Sequence, residues 1–235
     1  MPSGIHANQR RDGPKHSPFG IVVRSACRKL CRMRHSFLYL ILDVYSRKIV
    51  AHEVHTEERS DHAAVLIEQA VRREGVAGQT LVIHQDNGSP MKGSTYLAKL
   101  HELHITPSSP CVQGNSRPGV SDDNAYAESL FRTAKYRPNF PGTFASLEEA
   151  QAWALTFARW YNHEHKHRNL KFVSPAERHA GVDSAIFQHR IAVYEKARAK
   201  NPERWSRNIR NWSLPDEVWL NRPATEPALP QSEAA

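Results

Sequence analysis

Two acidic residues, Asp86 and Glu128, lie at positions where the sequence pattern is compatible with a catalytic or metal-binding role. Asp86 follows the apolar run at residues 81–83, which is typical of a buried strand, and opens the turn-forming sequence Asp-Asn-Gly-Ser-Pro. Reacting groups of open α/β sheets commonly lie at such strand ends. An Asp at this position can also simply cap its own backbone, so residue type and place alone leave both interpretations open.

Glu128 lies on a predicted helix over residues 123–137, and Arg132 and Lys135 follow it on the same helix. This spacing places the three side chains within roughly 40° of one line along the helix. A surface ion pair is one explanation of such a face. The other is that carboxylates on two elements share divalent cations, since oxygen ligands suit Mg²⁺ or Mn²⁺. Two such ions about 4 Å apart support phosphoryl transfer, and Arg132 and Lys135 would then hold the phosphate backbone.

The elements that must position these residues predict an α/β layered domain. Strand-like runs fall at residues 37–42, 48–55, 81–83 and 105–108. Helical patterns fall at residues 60–74, 94–103 and 123–137, after Ser146, and at residues 183–200. The order strand, strand, helix, strand, helix, strand is typical of layered α/β folds. We interpret the aromatic residues of the helix after Ser146 as core rather than as a base-stacking platform.

The whole chain is strongly basic, with 32 Lys and Arg against 24 Asp and Glu, a formal charge of +8. Such a balance suggests a polyanionic partner, most simply nucleic acid. Cys27, Cys31 and Cys111 are too few and scattered for a disulfide framework, which favours a reducing compartment. We expect no membrane span and no secretory signal, because the sequence has neither a long apolar run nor an apolar signal core.

Residues 1–35 differ from the remainder, because they hold eight Lys or Arg and a single acidic residue, Asp12. They could form a disordered basic arm that contacts phosphates. They could bind zinc through Cys27, Cys31 and His35, although the set lacks a nearby fourth ligand. They could also be sequence that was never selected to fold in this place.

Several stretches of the chain resemble the transposases of bacterial insertion sequences whose catalytic domain is like retroviral integrase. They are FLYLILDVYSRKIVAHEV, HQDNGSPMKG, VSDDNAYAESLFRTAKYRP, FASLEEAQAWALTFARWYNHEHKHRNLKFVSPAERHAG and PERWSRNIRNW, within residues 37–221. The resemblance implies an RNase H-like mixed sheet flanked by helices, with a helical C-terminal extension. It divides the chain into a catalytic core at residues 36–182 and an extension with a disordered tail at residues 183–235.

The resemblance also implies an Asp-Asp-Glu triad that binds two Mg²⁺ (or Mn²⁺) ions for DNA strand transfer. The second Asp of the triad falls on Asp86 and the Glu on Glu128, while Lys135 matches the family's DNA-contacting Lys. The further DNA-binding candidates are Arg132, Asn87 and Lys92. The histidines of the YNHxHxH segment, His163, His165 and His167, are interpreted as polar or DNA-facing rather than as a zinc site.

Two departures from the family pattern concern the triad. The separation of Asp86 from Glu128 exceeds the usual spacing, and we place a short insertion in the loop at residues 108–119, where the metal geometry can tolerate it. The family's first Asp is missing, because no acidic residue occurs between Asp12 and Asp43, and Asp43 matches a turn motif instead. We therefore predict that residues 1–35 are an aberrant N-terminus, as a frameshift or a wrong start would produce.

The expected function is DNA transposition or integration by metal-dependent phosphodiester cleavage and strand transfer, impaired here by the missing Asp. The expected partners are transposon ends and target DNA, bound by a homo-oligomer on the nucleoid in a bacterial cytoplasm. The alternative is a non-catalytic DNA-binding remnant that associates with DNA or with an intact copy. A structure-specific nuclease on the same fold is a weaker option. No DNA-end-binding helix-turn-helix is evident upstream.

Overall fold

The structure is a computed structural model in which helices flank a central sheet. It describes the backbone of residues 20–24 and, beyond them, residues 36–85, 88–107, 125–137, 139–215 and 218. In this part of the chain no helix is long and apolar enough to cross a membrane.

Five strands form one mixed sheet in the order β3-β2-β1-β4-β5. They are β1 (Gly20–Arg24), β2 (Phe37–Asp43), β3 (Ile49–His55), β4 (Leu81–Gln85) and β5 (Ile105–Pro107). The pairs β1–β2 and β2–β3 are antiparallel, whereas β1–β4 and β4–β5 are parallel. The parallel pair β4–β5 is joined through a helix, as a parallel crossover requires.

Six α-helices surround this sheet in the described residues. They are α1 (Ser60–Glu74), α2 (Ser94–Glu102), α3 (Ala125–Lys135), α4 (Leu147–His163), α5 (Pro175–His179) and α6 (Asp183–Lys200). Their bounds follow local signals, such as Ser146, whose hydroxyl caps α4, and Ser174, which forms a capping box with Glu177. Gly75 ends α1 in the left-handed conformation.

Strand β2 is buried on both faces and separates two hydrophobic cores, because alternate side chains point to opposite faces of a sheet. One face packs against α1 and α2 through Phe37, Tyr39 and Ile41. The other packs against α3 and α4 through Leu38, Leu40 and Leu42. This three-layer arrangement confirms the predicted α/β class, a mixed sheet flanked by helices. The aromatic side chains of α4 pack in the second core, as predicted.

Strand β1 lies at the centre of the sheet and was not anticipated by the sequence pattern. Its register places Val22 opposite Leu42 of β2 and Val23 opposite Gln85 of β4. It belongs to residues 1–35, for which an aberrant N-terminus remains a prediction, since residues 1–19 and 25–35 lie outside the described part. The proposed insertion at residues 108–119 lies outside it as well.

The outer strand β3 is joined to α4 by side chains. The side-chain amide of Asn162 accepts a hydrogen bond from the N–H of Ile49 (2.8 Å) and donates one to its carbonyl (2.9 Å). The amide of Gln151 donates to the carbonyl of Val54 (3.1 Å). The register of β2 and β3 shifts at Ile49, so Asn162 satisfies backbone groups beside this irregularity.

Helix α6 and the segment after it pack around a third cluster formed by Leu170, Val173, Phe187 and Trp212. Arg178 and Asp183 form an ion pair in which both side chains are buried. A second nitrogen of the Arg178 guanidinium donates to the carbonyl of Pro215 (3.1 Å). The helical extension is therefore present, whereas the boundary placed at residue 182 remains a prediction, because this ion pair spans it.

Candidate metal and nucleic-acid site

The three residues predicted on α3 share its exposed face. Glu128, Arg132 and Lys135 are all exposed. The opposite face of α3 enters the second core through Ala127, Leu130, Phe131 and Ala134. Because this apolar face fixes the rotation of the helix, the carboxylate and the two cations must point away from the core.

No ion pair joins Glu128 to Arg132 or Lys135 on this described helix. By contrast, Glu68 and Arg72 on α1 have the same four-residue spacing as Glu128 and Arg132, and they form an ion pair at 2.7 Å. The surface ion pair that the sequence left open is therefore not formed on α3. Among the described residues the Glu128 carboxylate has no hydrogen-bond or ion-pair partner, so it can accept a cationic ligand.

Asp86 and Asn87 lie outside the described residues, and their roles remain predictions. The chain on both sides of them is held in place. The side-chain amide of Gln85 donates to the carbonyl of Met91 (3.2 Å), which ties the end of β4 to a 3₁₀ turn at Ser89–Lys92. Lys92 is exposed on this turn, and its contact with DNA remains a prediction.

Gly93 fixes the same turn against the start of α1. A Cβ atom added to Gly93 would lie only 2.6 Å from the Ser60 hydroxyl oxygen and would also overlap its Cβ. The two backbone segments therefore approach more closely than any other residue type at position 93 would allow. This contact sets where the segment after β4 leaves the sheet.

Arg47, to which sequence reasoning gave no role, connects α3 to the turn between β2 and β3. Its guanidinium carbon lies 3.6 Å from the ring centroid of Tyr126, in the first turn of α3. Burial lowers the pKa of Arg47. The Asp43 carboxylate holds this turn by accepting from the N–H groups of Tyr45 (3.2 Å) and Ser46 (3.1 Å). In the sequence, Arg47 is marked only as the last residue of DVYSR, which lies within one of the stretches that resemble the transposases.

His179 joins three elements near the same turn. Its Nδ1 lies 3.4 Å from the Asp43 carboxylate and 3.2 Å from the Ser46 hydroxyl, and its Nε2 lies 2.9 Å from Glu74. Burial alone would lower the pKa of His179, but the hydrogen bonds to Asp43 and Glu74 outweigh burial and raise it. Lys48 also pairs with Glu74, at 2.9 Å. Asp43 thus has a structural role in this junction, in agreement with its assignment to a turn motif.

The histidines after α4 pack against aromatic residues, and the interpretation of His163, His165 and His167 as polar or DNA-facing remains a prediction. The ring of His165 stacks on Tyr161 with 5.4 Å between centroids. Burial lowers the pKa of His165, and burial, Arg47 and His165 lower that of His167 to about 4. The His167 ring is therefore neutral at pH 7. His163 is exposed.

No group of three or more His, Cys, Asp or Glu that could hold a metal ion occurs among the described residues. Cys27, Cys31, His35 and Asp86 are outside that set. Strand β1, which adjoins β4 in parallel, has the sequence Gly-Ile-Val-Val-Arg and contributes no acidic residue. The strand beside the one that leads to Asp86 thus offers no carboxylate ligand.

Comparisons with known proteins agree with this arrangement. Two family models, both described as integrase core domain, match residues 22–116 and 111–175. An uncharacterized transposase-like protein of Haemophilus influenzae is 26% identical over 145 residues, which cover 62% of this chain and 63% of that protein. The transposase for insertion sequence element IS629 of Shigella sonnei is 28% identical over 159 residues, covering 67% and 51%.

A solved structure, the catalytic core domain of BIV integrase, is 14% identical and covers 71% of this chain and 97% of that one, with a TM-score of 0.49. The two family matches together span residues 22–175, which include β2 to β5, α3 and α4. Over these ranges the chain is similar to integrase core domains and to transposases. It spans about half to two thirds of the length of these curated relatives.

Proposed function

We propose that the chain binds DNA in transposition or integration, and that its core is built for metal-dependent cleavage and strand transfer of phosphodiesters. The observation that carries this proposal is the exposed face of α3, where Glu128, Arg132 and Lys135 lie together without an ion pair between them. Cations on such a face hold phosphates, and an unpaired carboxylate among them suits a divalent metal ion. The net charge of +8 supports a polyanionic partner.

The chain supplies two of the three carboxylates that a site for Mg²⁺ or Mn²⁺ of this kind would use. Glu128 offers exposed carboxylate oxygens of the kind these ions prefer, and Asp86 would supply the second carboxylate. Bound in a pair, such ions activate an attacking oxygen and stabilise the leaving oxygen. Arg132 and Lys135 bind the phosphates beside them. Asn87 and Lys92 extend this contact to the segment after β4.

Catalysis is impaired in this chain under the same proposal, because the third carboxylate has no source on β1. A cleavage and strand-transfer assay in Mg²⁺ and in Mn²⁺ tests it, with Glu128→Gln as the matched control. We expect DNA binding with little turnover. Clear turnover that Glu128→Gln abolishes would refute the impairment and support the metal site, whereas turnover unaffected by this change would refute the site.

A non-catalytic DNA-binding remnant is the second candidate, favoured by the same lack of an acidic residue on β1. It would associate with DNA or with an intact copy as a homo-oligomer, on the nucleoid in a bacterial cytoplasm. Salt-dependent DNA binding without cleavage in either metal favours it. Reading the other two frames of the gene upstream of codon 37 tests the origin of residues 1–35. An Asp-containing strand sequence in one of them is the expected result, and its absence would count against a frameshift.

A further inference from the structure

Tyr136 is the most exposed of the large hydrophobic side chains in the described residues, with 79% of its surface accessible. It follows Lys135 directly at the end of α3, and its N–H donates to the carbonyl of Arg132 (3.0 Å). Its backbone therefore continues the helical path of α3. Four residues after Arg132, it lies about 40° from that side chain around the helix axis.

The exposure of Tyr136 contrasts with the burial of the aromatic residues that follow. Phe140 and Phe144 pack against Trp153 of α4, at 5.3 and 5.6 Å between ring centroids. The guanidinium carbon of Arg137 lies 4.0 Å from the ring centroid of Trp160. The chain immediately after Tyr136 is thus anchored to α4, and an aromatic cluster is available nearby. Tyr136 nevertheless projects to solvent.

The positive charge around Tyr136 favours binding of a polyanionic ligand. Arg132, Lys135 and Arg137 lie within four residues of it, and no acidic residue occurs between Glu128 and Glu148. A flat, exposed aromatic ring next to cations matches the way proteins bind single-stranded nucleic acid, where bases stack on aromatic side chains and the backbone contacts basic groups. Bases inside a duplex are already stacked, so only unpaired or frayed bases present a face.

We propose that Tyr136 stacks on an unpaired base at a DNA end, while Arg132 and Lys135 hold the adjoining phosphates. This rests on the proposed function and deepens it, because it makes α3 selective for DNA with unpaired bases. Stacking of one base is worth about 1–3 kcal/mol, which corresponds to about a 5- to 150-fold difference in affinity.

The test measures binding of the full chain to two labelled DNAs by fluorescence anisotropy in metal-free buffer. One DNA is a blunt duplex, and the other is the same duplex with a single-stranded end that carries 2-aminopurine. Tyr136→Ala is expected to weaken binding to the single-stranded end about 5- to 150-fold and to change blunt-duplex binding little. Tyr136→Phe should retain wild-type affinity, because stacking needs the ring and not the hydroxyl.

Two controls separate stacking from charge and from folding. Lys135→Ala should weaken binding to both DNAs alike and lower the salt slope by about 1, whereas Tyr136→Ala should leave the slope unchanged. Leu155→Ala removes another exposed apolar side chain, on α4, and should have no effect on either DNA. Quenching of 2-aminopurine fluorescence by wild type and by Tyr136→Phe, but not by Tyr136→Ala, is the spectroscopic signature of stacking.

The proposal is overturned if Tyr136→Ala binds the single-stranded end as tightly as wild type, or loses affinity for both DNAs equally. It is also overturned if Tyr136→Ala changes only self-association in analytical ultracentrifugation, which would identify a protein interface. Failure of the proposed function has a different signature. In that case wild type binds neither DNA, and Lys135→Ala does not differ from it.

Discussion

The guanidinium group of Arg47 lies over the ring of Tyr126, with 3.6 Å between the guanidinium carbon and the ring centroid. Arg47 belongs to the turn that Asp43 holds, and Tyr126 stands two residues before Glu128. Two residues correspond to about 200° of helix rotation, so Tyr126 and Glu128 project from opposite sides of α3. The contact thereby helps to set the rotation of α3 that points Glu128 to solvent.

A double-mutant cycle of Arg47→Met and Tyr126→Leu tests this contact through the free energy of unfolding in urea. Partly buried cation–π pairs are worth about 1–2 kcal/mol, so we expect a coupling energy of that size. Arg72→Met, which removes an exposed arginine from α1, should cost less than about 0.5 kcal/mol. Strict additivity of the two single changes would show that the stack contributes nothing to stability.

Glu128→Gln should separate metal binding from DNA binding. The change removes the carboxylate, so the heat of Mn²⁺ binding measured by isothermal titration calorimetry should be lost. Metal-free DNA binding should become slightly tighter, because a negative charge leaves a face that also carries Arg132 and Lys135. Glu195→Gln, on the exposed surface of α6, is the matched control and should change neither quantity. Undiminished Mn²⁺ binding by Glu128→Gln would exclude this residue as a ligand.

Gly93→Ala should lower the thermal midpoint of unfolding. Gly93 has φ of −67°, a conformation that alanine adopts easily, and in open space the change would stabilise the protein slightly. The overlap with Ser60 reverses that sign, and overpacking of this kind costs about 1–3 kcal/mol. Ser60→Gly in the same chain should restore part of the loss. If Gly93→Ala left the thermal midpoint unchanged, α1 and the turn could move apart without a loss of stability, which would contradict this prediction.

Stability should fall on the alkaline side as His179 loses its proton. Its pKa is raised in the folded state, so its contribution is fully present below about pH 6.5 and is lost as the pH rises through the folded pKa. The charged groups facing it are Asp43 on β2, Glu74 at the end of α1, and Lys48, which opposes its charge. Urea midpoints of wild type should therefore decrease between about pH 6 and pH 9 more than those of His179→Gln.

At acid pH, the stability of the fold should depend on the protonation of Glu74. Burial alone would raise its pKa, but hydrogen bonds from His179 and Lys48 lower it to about 2. Its contribution is present above the ordinary value of 4.5 and is lost as the pH falls towards 2. His179→Gln should preserve part of this acid dependence, because Lys48 still pairs with Glu74. Identical alkaline profiles for wild type and His179→Gln would exclude His179 as the titrating group.

Local patterns in the sequence predicted most of the fold, because hydrophobic periodicity and helix caps act over a few residues. They placed β2 to β5 and the five longer helices, and the resemblance supplied the class of sheet. Strand β1 was missed, since a short apolar run, Ile21 to Val23, within a basic segment becomes a strand only through its pairing with β2 and β4. Central position in a sheet is a property of the fold that no local pattern encodes.

The candidate site was predictable where it depends on helix spacing and not where it depends on distant contacts. The common face of Glu128, Arg132 and Lys135 follows from helix geometry, although the lack of an ion pair there does not. The stack of Arg47 on Tyr126 joins residues that are far apart in the chain, so it could not be predicted from local sequence patterns. The same holds for the junction at His179, whose partners come from three elements.

The attachment of α4 to β3 has a consequence for how copies of this protein can assemble. An open edge strand is a template for strand addition and aggregation, because its backbone groups are unpaired. Asn162 and Gln151 occupy backbone groups of β3, and the opposite edge, β5, is only three residues long and ends in Pro107, which has no N–H to donate. Both edges of the sheet are thereby poor templates for strand addition, which disfavours cross-β polymerisation of copies of this chain.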